Sequence, residues 1–123
     1  MKQDIIIIGA SSKREKYGNK AVRAYQRAGW SVYPVNPNEH EIEGIPCFKR
    51  IEDIPKNIIT VSLYVPPSIG EQLVESMASK GVKEVYVNPG TESEHLLELL
   101  EKNHVKALRV CSIRAVGDDP ALL

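Results

Sequence analysis

Short apolar runs alternate along this chain with longer segments of helical periodicity. The runs are rich in β-branched residues and occupy positions 4–8, 31–35, 59–65, 84–87 and 106–110. Such alternation predicts an α/β fold in which parallel strands are joined by helices that cover both faces of the sheet. The first run, Ile5-Ile6-Ile7-Ile8, is apolar at every position, which predicts a strand buried on both sides in the middle of the sheet.

Three helices are predicted between these strands. Residues 19–28 place apolar side chains on one face, and Gly29 follows as a C-terminal stop. The second helix is expected from Ser68 to about residue 80, with Ser68 and Glu71 forming a capping box. The third is expected over residues 93–103, with leucines turned inward.

Two segments lack a clear period. Residues 36–56 are punctuated by proline and glycine, and we expect a short edge strand near residues 46–48 and a one-turn helix at 51–54. Residues 112–123 show no periodicity, which predicts a loose C-terminal tail.

The order of the elements also predicts where a ligand binds. Right-handed crossovers favour a Rossmann-like, doubly wound, mostly parallel sheet of five to six strands, with a crevice at the carboxyl ends of the first and fourth strands. Four turns would meet at that rim: Gly9-Ala10-Ser11-Ser12, Val35-Asn36-Pro37, Val65-Pro66-Pro67 and Asn88-Pro89-Gly90.

Composition narrows the class of protein. The 123 residues fit a single domain, 1–123, and 16 basic residues balance 16 acidic ones, so neither nucleic acid nor a membrane is an expected partner. Six basic residues between Lys13 and Arg27 are interpreted as a solvated helix face. Cys47 and Cys111 form neither a disulfide framework nor a metal-ligand spacing, and the first apolar run is too short for a signal peptide, so we expect a cytoplasmic protein without a bound metal.

The first turn is suited to phosphate. Gly9 ends a strand just before a helix, and the amide N–H groups from Ala10 to Lys13, with the hydroxyls of Ser11 and Ser12, can hold an anion. An NAD site is disfavoured, because Ser11 stands where the second glycine of the dinucleotide motif belongs and the second strand ends without an acid, at Asn36.

Taken together, these motifs resemble a known family. The series comprises Gly9-Ala10-Ser11, Gly18-Asn19, Val32-Tyr33-Pro34-Val35-Asn36-Pro37, Gly44-Ile45-Pro46, Val65-Pro66-Pro67, Gly81 before a strand and Pro89-Gly90 after it. It is similar to the small CoA-binding proteins, which are relatives of the CoA-binding domain in the succinyl-CoA synthetase α subunit.

The resemblance implies coenzyme A, or acyl-CoA, as the ligand. Its diphosphate would lie over Gly9 to Lys13, its adenine and ribose near Asn36, and its pantetheine arm near Asn88. The 3′-phosphate of coenzyme A requires a nearby cation rather than an acid. The implied cofactor-binding residues are Gly9, Ala10, Ser11, Ser12, Lys13, Asn19, Asn36, Pro37, Val65, Pro66, Pro67, Asn88, Pro89 and Gly90.

The chain departs from the family near its end, where Tyr86 replaces a frequent Trp and Arg109-Val110-Cys111 replaces Asp-Arg-Cys. Cys111 is interpreted as a buried apolar filler, and Trp30 as a packing residue.

No catalytic residues are assigned, so the chain is expected not to be an enzyme. Our hypothesis is a CoA-binding protein without catalytic machinery of its own. Two alternatives remain open: a subunit of a CoA- or nucleotide-dependent enzyme that needs a partner, and a protein interaction module on the same scaffold. A protein partner or a homo-oligomer is compatible with each.

Overall fold

The computed structural model describes residues 3–123. Seven strands lie within these residues: β1 (Asp4–Ile8), β2 (Ser31–Val35), β3 (Glu41–Ile42), β4 (Ile45–Pro46), β5 (Thr60–Leu63), β6 (Glu84–Val87) and β7 (Lys106–Leu108). Five of them form a parallel sheet in the order β2-β1-β5-β6-β7, while β3 and β4 pair antiparallel as a separate hairpin. The predicted α/β class and Rossmann-like sheet are confirmed.

Helices cover both faces of the sheet. They are α1 (Tyr17–Arg27), α2 (Pro67–Ser79), α3 (Glu94–Lys102) and α4 (Ser112–Ala115), with 3₁₀ turns at Ile51–Asp53 and Pro120–Leu122. Ile5 and Ile7 of β1 face the core under α1 and α4, whereas Ile6 and Ile8 face the core under α2 and α3. All four are at most 2% exposed, so β1 lies between two cores, as its unbroken apolar run predicted.

The sheet reverses its winding between β1 and β5. With the predicted edge strand near residues 46–48 counted as the third, β5 is the fourth predicted strand, so the predicted crevice at the carboxyl ends of the first and fourth strands agrees with this order. The edge strand itself is reduced to a parallel bridge from Phe48 to Val35 beside the β3–β4 hairpin. After the 3₁₀ turn at Ile51–Asp53, the chain returns to pair β5 with β1.

The C-terminal segment is docked, so the expected loose tail was wrong. Ser112 and Ile113 are fully buried, and the Tyr25 hydroxyl donates to the Ser112 carbonyl oxygen at 2.8 Å. Lys20 donates to the Pro120 carbonyl oxygen at 3.0 Å, and Arg27 lies 3.7 Å from Asp118. Four-residue α4 is too short for a sequence period, and its burial comes from contacts with α1.

These contacts change the interpretation of the basic residues of α1. Lys20 and Arg27 fasten the C-terminal segment, and Arg23 donates to Asn19 Oδ1 at 2.7 Å and to the Arg14 carbonyl oxygen at 2.9 Å. The basic face is therefore partly used in holding the fold together.

Two local predictions can be compared with the structure. The capping box at Ser68 was wrong, because α2 starts with Pro67, whose ring already fixes a helical φ, and Glu71 instead accepts from Ser93 at 2.7 Å. Trp30 packs edge-on against Tyr25, with ring centroids 5.0 Å apart, as expected of a packing residue. Within residues 3–123, no helix is long and apolar enough to cross a membrane.

Candidate functional site

The turn after β1 depends on two glycines. Gly9 has φ +86°, and a Cβ there would lie 2.3 Å from the Tyr64 carbonyl oxygen. A Cβ at Gly18, in the first turn of α1, would lie 2.2 Å from the Gly9 carbonyl oxygen. At both glycines, the backbone of one segment lies against the backbone of another, and the first turn of α1 therefore packs directly on the turn after β1.

Two asparagines hold this turn by its carbonyl groups. Asn36, after β2, donates to the Ala10 carbonyl oxygen at 2.8 Å, and fully buried Asn19 donates to the Ser11 carbonyl oxygen at 2.9 Å. Both were predicted as ligand-binding residues. The structure gives their side-chain amides a positioning role, since they fix the backbone on which a ligand would rest.

The amide groups of the turn have different partners. The Gly9 amide donates to the Val35 carbonyl oxygen at 3.0 Å, and the Lys13 amide donates to Ser11 Oγ at 3.0 Å. The Ser12 amide donates to a carboxylate oxygen of Glu39 at 2.6 Å. The turn therefore already holds one anionic group, which supports the prediction that its N–H groups suit an anion.

On one side of Gly9 lies a cleft of about 460 Å³, called here the base cleft. Its apolar walls come from β1, β2, the turn after β5 and α2, and its charged side chains come from the 3₁₀ turn and the residues before it. The lining residues are Ile8, Gly9, Val35, Asn36, Pro37, Lys49, Arg50, Ile51, Glu52, Val65, Ile69 and Leu73.

On the other side lies a chamber of about 320 Å³, called here the tyrosine chamber. It is lined by Tyr17, Tyr64, Asn88, Pro89, Cys111, Arg114 and Pro120. A shallow channel joins the two spaces: it shares Gly9 and Asn36 with the base cleft, and Tyr17 and Tyr64 with the tyrosine chamber. One groove thus crosses the turn after β1 along the carboxyl edge of the sheet.

A buried polar network forms the floor of the tyrosine chamber. Asn88, 2% exposed, donates to Ser62 Oγ and to the Leu63 carbonyl oxygen, both at 2.8 Å, and accepts from the Ser112 amide at 2.8 Å. Ser112 Oγ lies 2.7 Å from Ser62 Oγ and 3.0 Å from the Tyr64 hydroxyl. The Asn88 amide therefore fastens α4 to the sheet.

Burial raises the pKa of Tyr64 to about 12, so its phenol is neutral at physiological pH. Burial also raises the pKa of the Cys47 thiol, which lies beside the carbonyl oxygens of Asn36 and Phe48. Among residues 3–123, no three His, Cys, Asp or Glu side chains come close enough together to hold a metal ion.

The structure brings half of the predicted residues to the groove, but in different roles. Gly9, Asn36, Pro37 and Val65 line the base cleft, Ser11 lines the channel, and Asn88 and Pro89 line the tyrosine chamber. The others lie outside these linings: buried Ala10, exposed Ser12 and Lys13, buried Asn19, Pro66 and Pro67 at the start of α2, and exposed Gly90.

Several lining residues were missed from the sequence. Cys111, expected as a buried filler, is only partly buried and lines the tyrosine chamber. Tyr64 directly follows β5 and could have been found from its place at the sheet rim. Lys49 and Arg50 lie in the irregular segment, where no periodicity indicated which way they point.

Comparison with known proteins shows which family this chain matches. The sequence profile of the family described as CoA binding domain matches residues 3–116. The α subunit of ADP-forming acetate–CoA ligase II of Pyrococcus furiosus is 32% identical over 123 residues, covering 92% of this chain and 26% of the subunit. The ADP-forming acetate–CoA ligase of Methanocaldococcus jannaschii is 29% identical over 115 residues, covering 94% of this chain and 16% of the ligase.

Solved structures share the fold. A conserved hypothetical protein of Pyrococcus furiosus superposes with a TM-score of 0.84 at 33% identity, covering 92% of this chain and 98% of that one. A protein redesigned for binding gives a TM-score of 0.87 at 30% identity, covering 92% of this chain and 80% of that one. The chain spans about a quarter or less of the ligases it matches. By its profile over nearly its whole length, it belongs to the CoA binding domain family.

Proposed function

We propose that residues 1–123 act as one domain that binds coenzyme A or an acyl-CoA along the groove. The adenosine lies in the base cleft, the diphosphate lies over the turn from Gly9 to Lys13, and the pantetheine arm extends into the tyrosine chamber. Family membership supports the choice of ligand. The observation that carries the proposal is the continuity of the groove, which passes from an apolar cleft across the turn into a second chamber.

The base cleft suits an adenine ring with a phosphorylated ribose. Ile8, Val65 and Leu73 contribute apolar surface against which a planar base can pack. Lys49 and Arg50 bring two cations to the same cleft, which fits the 3′-phosphate of coenzyme A. Arg50 is paired with Asp53 at 3.4 Å, but both side chains are largely exposed, so a phosphate can replace this weak contact.

One acid also lines the cleft. Glu52 accepts from Ser76 at 2.8 Å, and this hydrogen bond lowers the pKa of its carboxyl. As a carboxylate on the α2 side, it can accept from a ribose hydroxyl while the cations hold the phosphate.

Calorimetric titration with CoA, dephospho-CoA and NAD tests the proposal. We expect CoA to bind most tightly. Replacing Lys49 and Arg50 together with alanine should weaken CoA binding by about a hundredfold, because each of the two charge-assisted contacts contributes about 1.5 kcal/mol, or about tenfold in affinity. Dephospho-CoA binding should change little. The matched control is Lys83→Ala, a lysine outside the groove linings. Absence of CoA binding at millimolar concentration, in refolded protein freed of carried-over ligand, would refute the proposal.

The domain is proposed to bind without catalysing a reaction of its own. The chain's two thiols are free, which suits the reducing cytoplasm in which we place it. A second candidate function is that of a CoA-binding subunit whose catalytic residues lie in a partner. It is favoured by the similarity to ligases of which this chain matches only a part. Recovery of a stoichiometric partner with an ATP-dependent ligase activity would favour this candidate, whereas a monomer or homo-oligomer that binds CoA alone would favour the first.

A further inference from the structure

The Glu39 carboxylate accepts a hydrogen bond from the turn between Gly9 and Lys13, called here the phosphate turn. It accepts from the Ser12 amide at 2.6 Å, next to Ser11 in the channel wall. The Ser12 hydrogen bond holds the pKa of the Glu39 carboxyl below its usual range, so the group is an anion at neutral pH. An internal anion therefore sits where an incoming diphosphate would seek an N–H donor.

The backbone position of Glu39 beside the turn follows from the fold. Asn36 donates to the Ala10 carbonyl oxygen at 2.8 Å and accepts from the Asn38 amide at 2.8 Å, which ties the segment after β2 to the turn. The Glu39 amide in turn donates to the Asn36 carbonyl oxygen at 3.4 Å. The residue that fixes the turn thus also brings Glu39 to it.

An amide N–H donates to one acceptor at a time, and two anions at one donor repel each other. We propose that Glu39 is a built-in competitor for the ligand's diphosphate, which must displace the carboxylate from Ser12 before it can bind fully. The proposal rests on the proposed function, since it assigns the diphosphate to this turn. It makes the observed affinity weaker than the intrinsic affinity, in proportion to the fraction of molecules in which Glu39 is withdrawn.

Displacement is feasible because, among the described residues, Ser12 is the one residue that hydrogen-bonds the carboxylate, and the contact is exposed to solvent. The charged group facing Glu39 is Lys13, and the Glu39 carboxylate also lies near enough to the Cys47 thiol to raise its pKa. Lys13 can stay with the ligand phosphate when Glu39 leaves. Glu43, by contrast, accepts from Asn19 at 3.0 Å and lies 3.4 Å from Arg14, so it supports the fold of the turn.

The test compares Glu39→Gln with Glu41→Gln by calorimetry, using CoA and inorganic pyrophosphate as ligands. Glu41 is an exposed residue of the same hairpin region, so its variant removes the same charge without touching the turn. We expect Glu39→Gln to bind both ligands about tenfold more tightly than the native chain, since a charge-assisted hydrogen bond no longer has to be broken. Glu41→Gln should change the affinity less than about twofold, as an exposed charge acts weakly.

The remaining outcomes either overturn the competitor role of Glu39 or separate it from the proposed function. Equal affinities for Glu39→Gln and the native chain, or weaker binding by Glu39→Gln, would overturn the competitor role. Tighter pyrophosphate binding without any CoA binding would leave the competitor role standing and refute the proposed function. If neither ligand binds to either protein, both proposals fail.

Discussion

Gly18→Ala is the sharpest test of the backbone contact under the phosphate turn. The added Cβ would lie 2.2 Å from the Gly9 carbonyl oxygen and 3.2 Å from Ala10 Cα, whereas ordinary contact begins at 3.4 Å. The neighbours are backbone atoms, which cannot rotate away, so α1 and the turn must separate by about 1.2 Å (3.4 − 2.2) along that contact. Overpacking of this kind costs about 3 kcal/mol, at the upper end of the usual range.

Alanine also favours a helix over glycine by at most about 1 kcal/mol, so the expected net loss for Gly18→Ala is about 2 kcal/mol. Gly70→Ala in the first turn of α2 is the matched control, because its Cβ would meet Leu63 Cδ1 at an ordinary 3.6 Å. That variant should be unchanged or more stable by up to about 1 kcal/mol.

Urea unfolding monitored by circular dichroism measures both variants. With a slope of about 2 kcal/mol per molar urea, Gly18→Ala should lower the midpoint by about 1 M, and Gly70→Ala should not lower it. CoA affinity should also fall in Gly18→Ala, since the turn is displaced. A Gly18→Ala protein as stable as Gly70→Ala would refute the close backbone approach and the reasoning built on it.

Three further predictions concern the tyrosine chamber. Ser112→Ala removes the hydroxyl that hydrogen-bonds Ser62 and Tyr64, and it should destabilise the protein by about 1–2 kcal/mol. Amide hydrogen exchange in residues 112–123 should become faster. An unchanged exchange rate would show that this network does not hold the C-terminal segment. Iodoacetamide should alkylate Cys111 faster than Cys47, because burial raises the pKa of the Cys47 thiol. Mass spectrometry should show that CoA protects Cys111 alone from alkylation. Equal protection of both cysteines would contradict the placement of the pantetheine arm in the tyrosine chamber. Burial raises the pKa of Tyr64 from 10.0 to about 12, so the contribution of its neutral phenol to stability is complete below pH 10 and is lost as the pH rises towards 12. In an absorbance titration, the Tyr64→Phe variant should lack one tyrosine that ionises at high pH. An unchanged titration profile would show that the Tyr64 phenol is not buried.

Much of the fold follows from local sequence patterns. The five main strands lie within two residues of their predicted ends, and α3 begins at Glu94 with Ser93 as its N-cap. Boundaries of this kind depend on residues close together in the chain, such as a β-branched run or a capping hydroxyl. The motifs around Gly9, Asn36 and Val65 likewise identified the family before any contact was known.

The sequence by itself therefore determined the fold class, the family and the rim at which the ligand turns gather. The tertiary structure decided the docking of Ser112 and the roles of the individual site residues. The Ser12–Glu39 contact spans 27 positions and the Tyr25–Ser112 contact spans 87. Neither leaves a local pattern, because the partners meet only after the sheet has ordered its strands, and the same holds for the cations that line the base cleft.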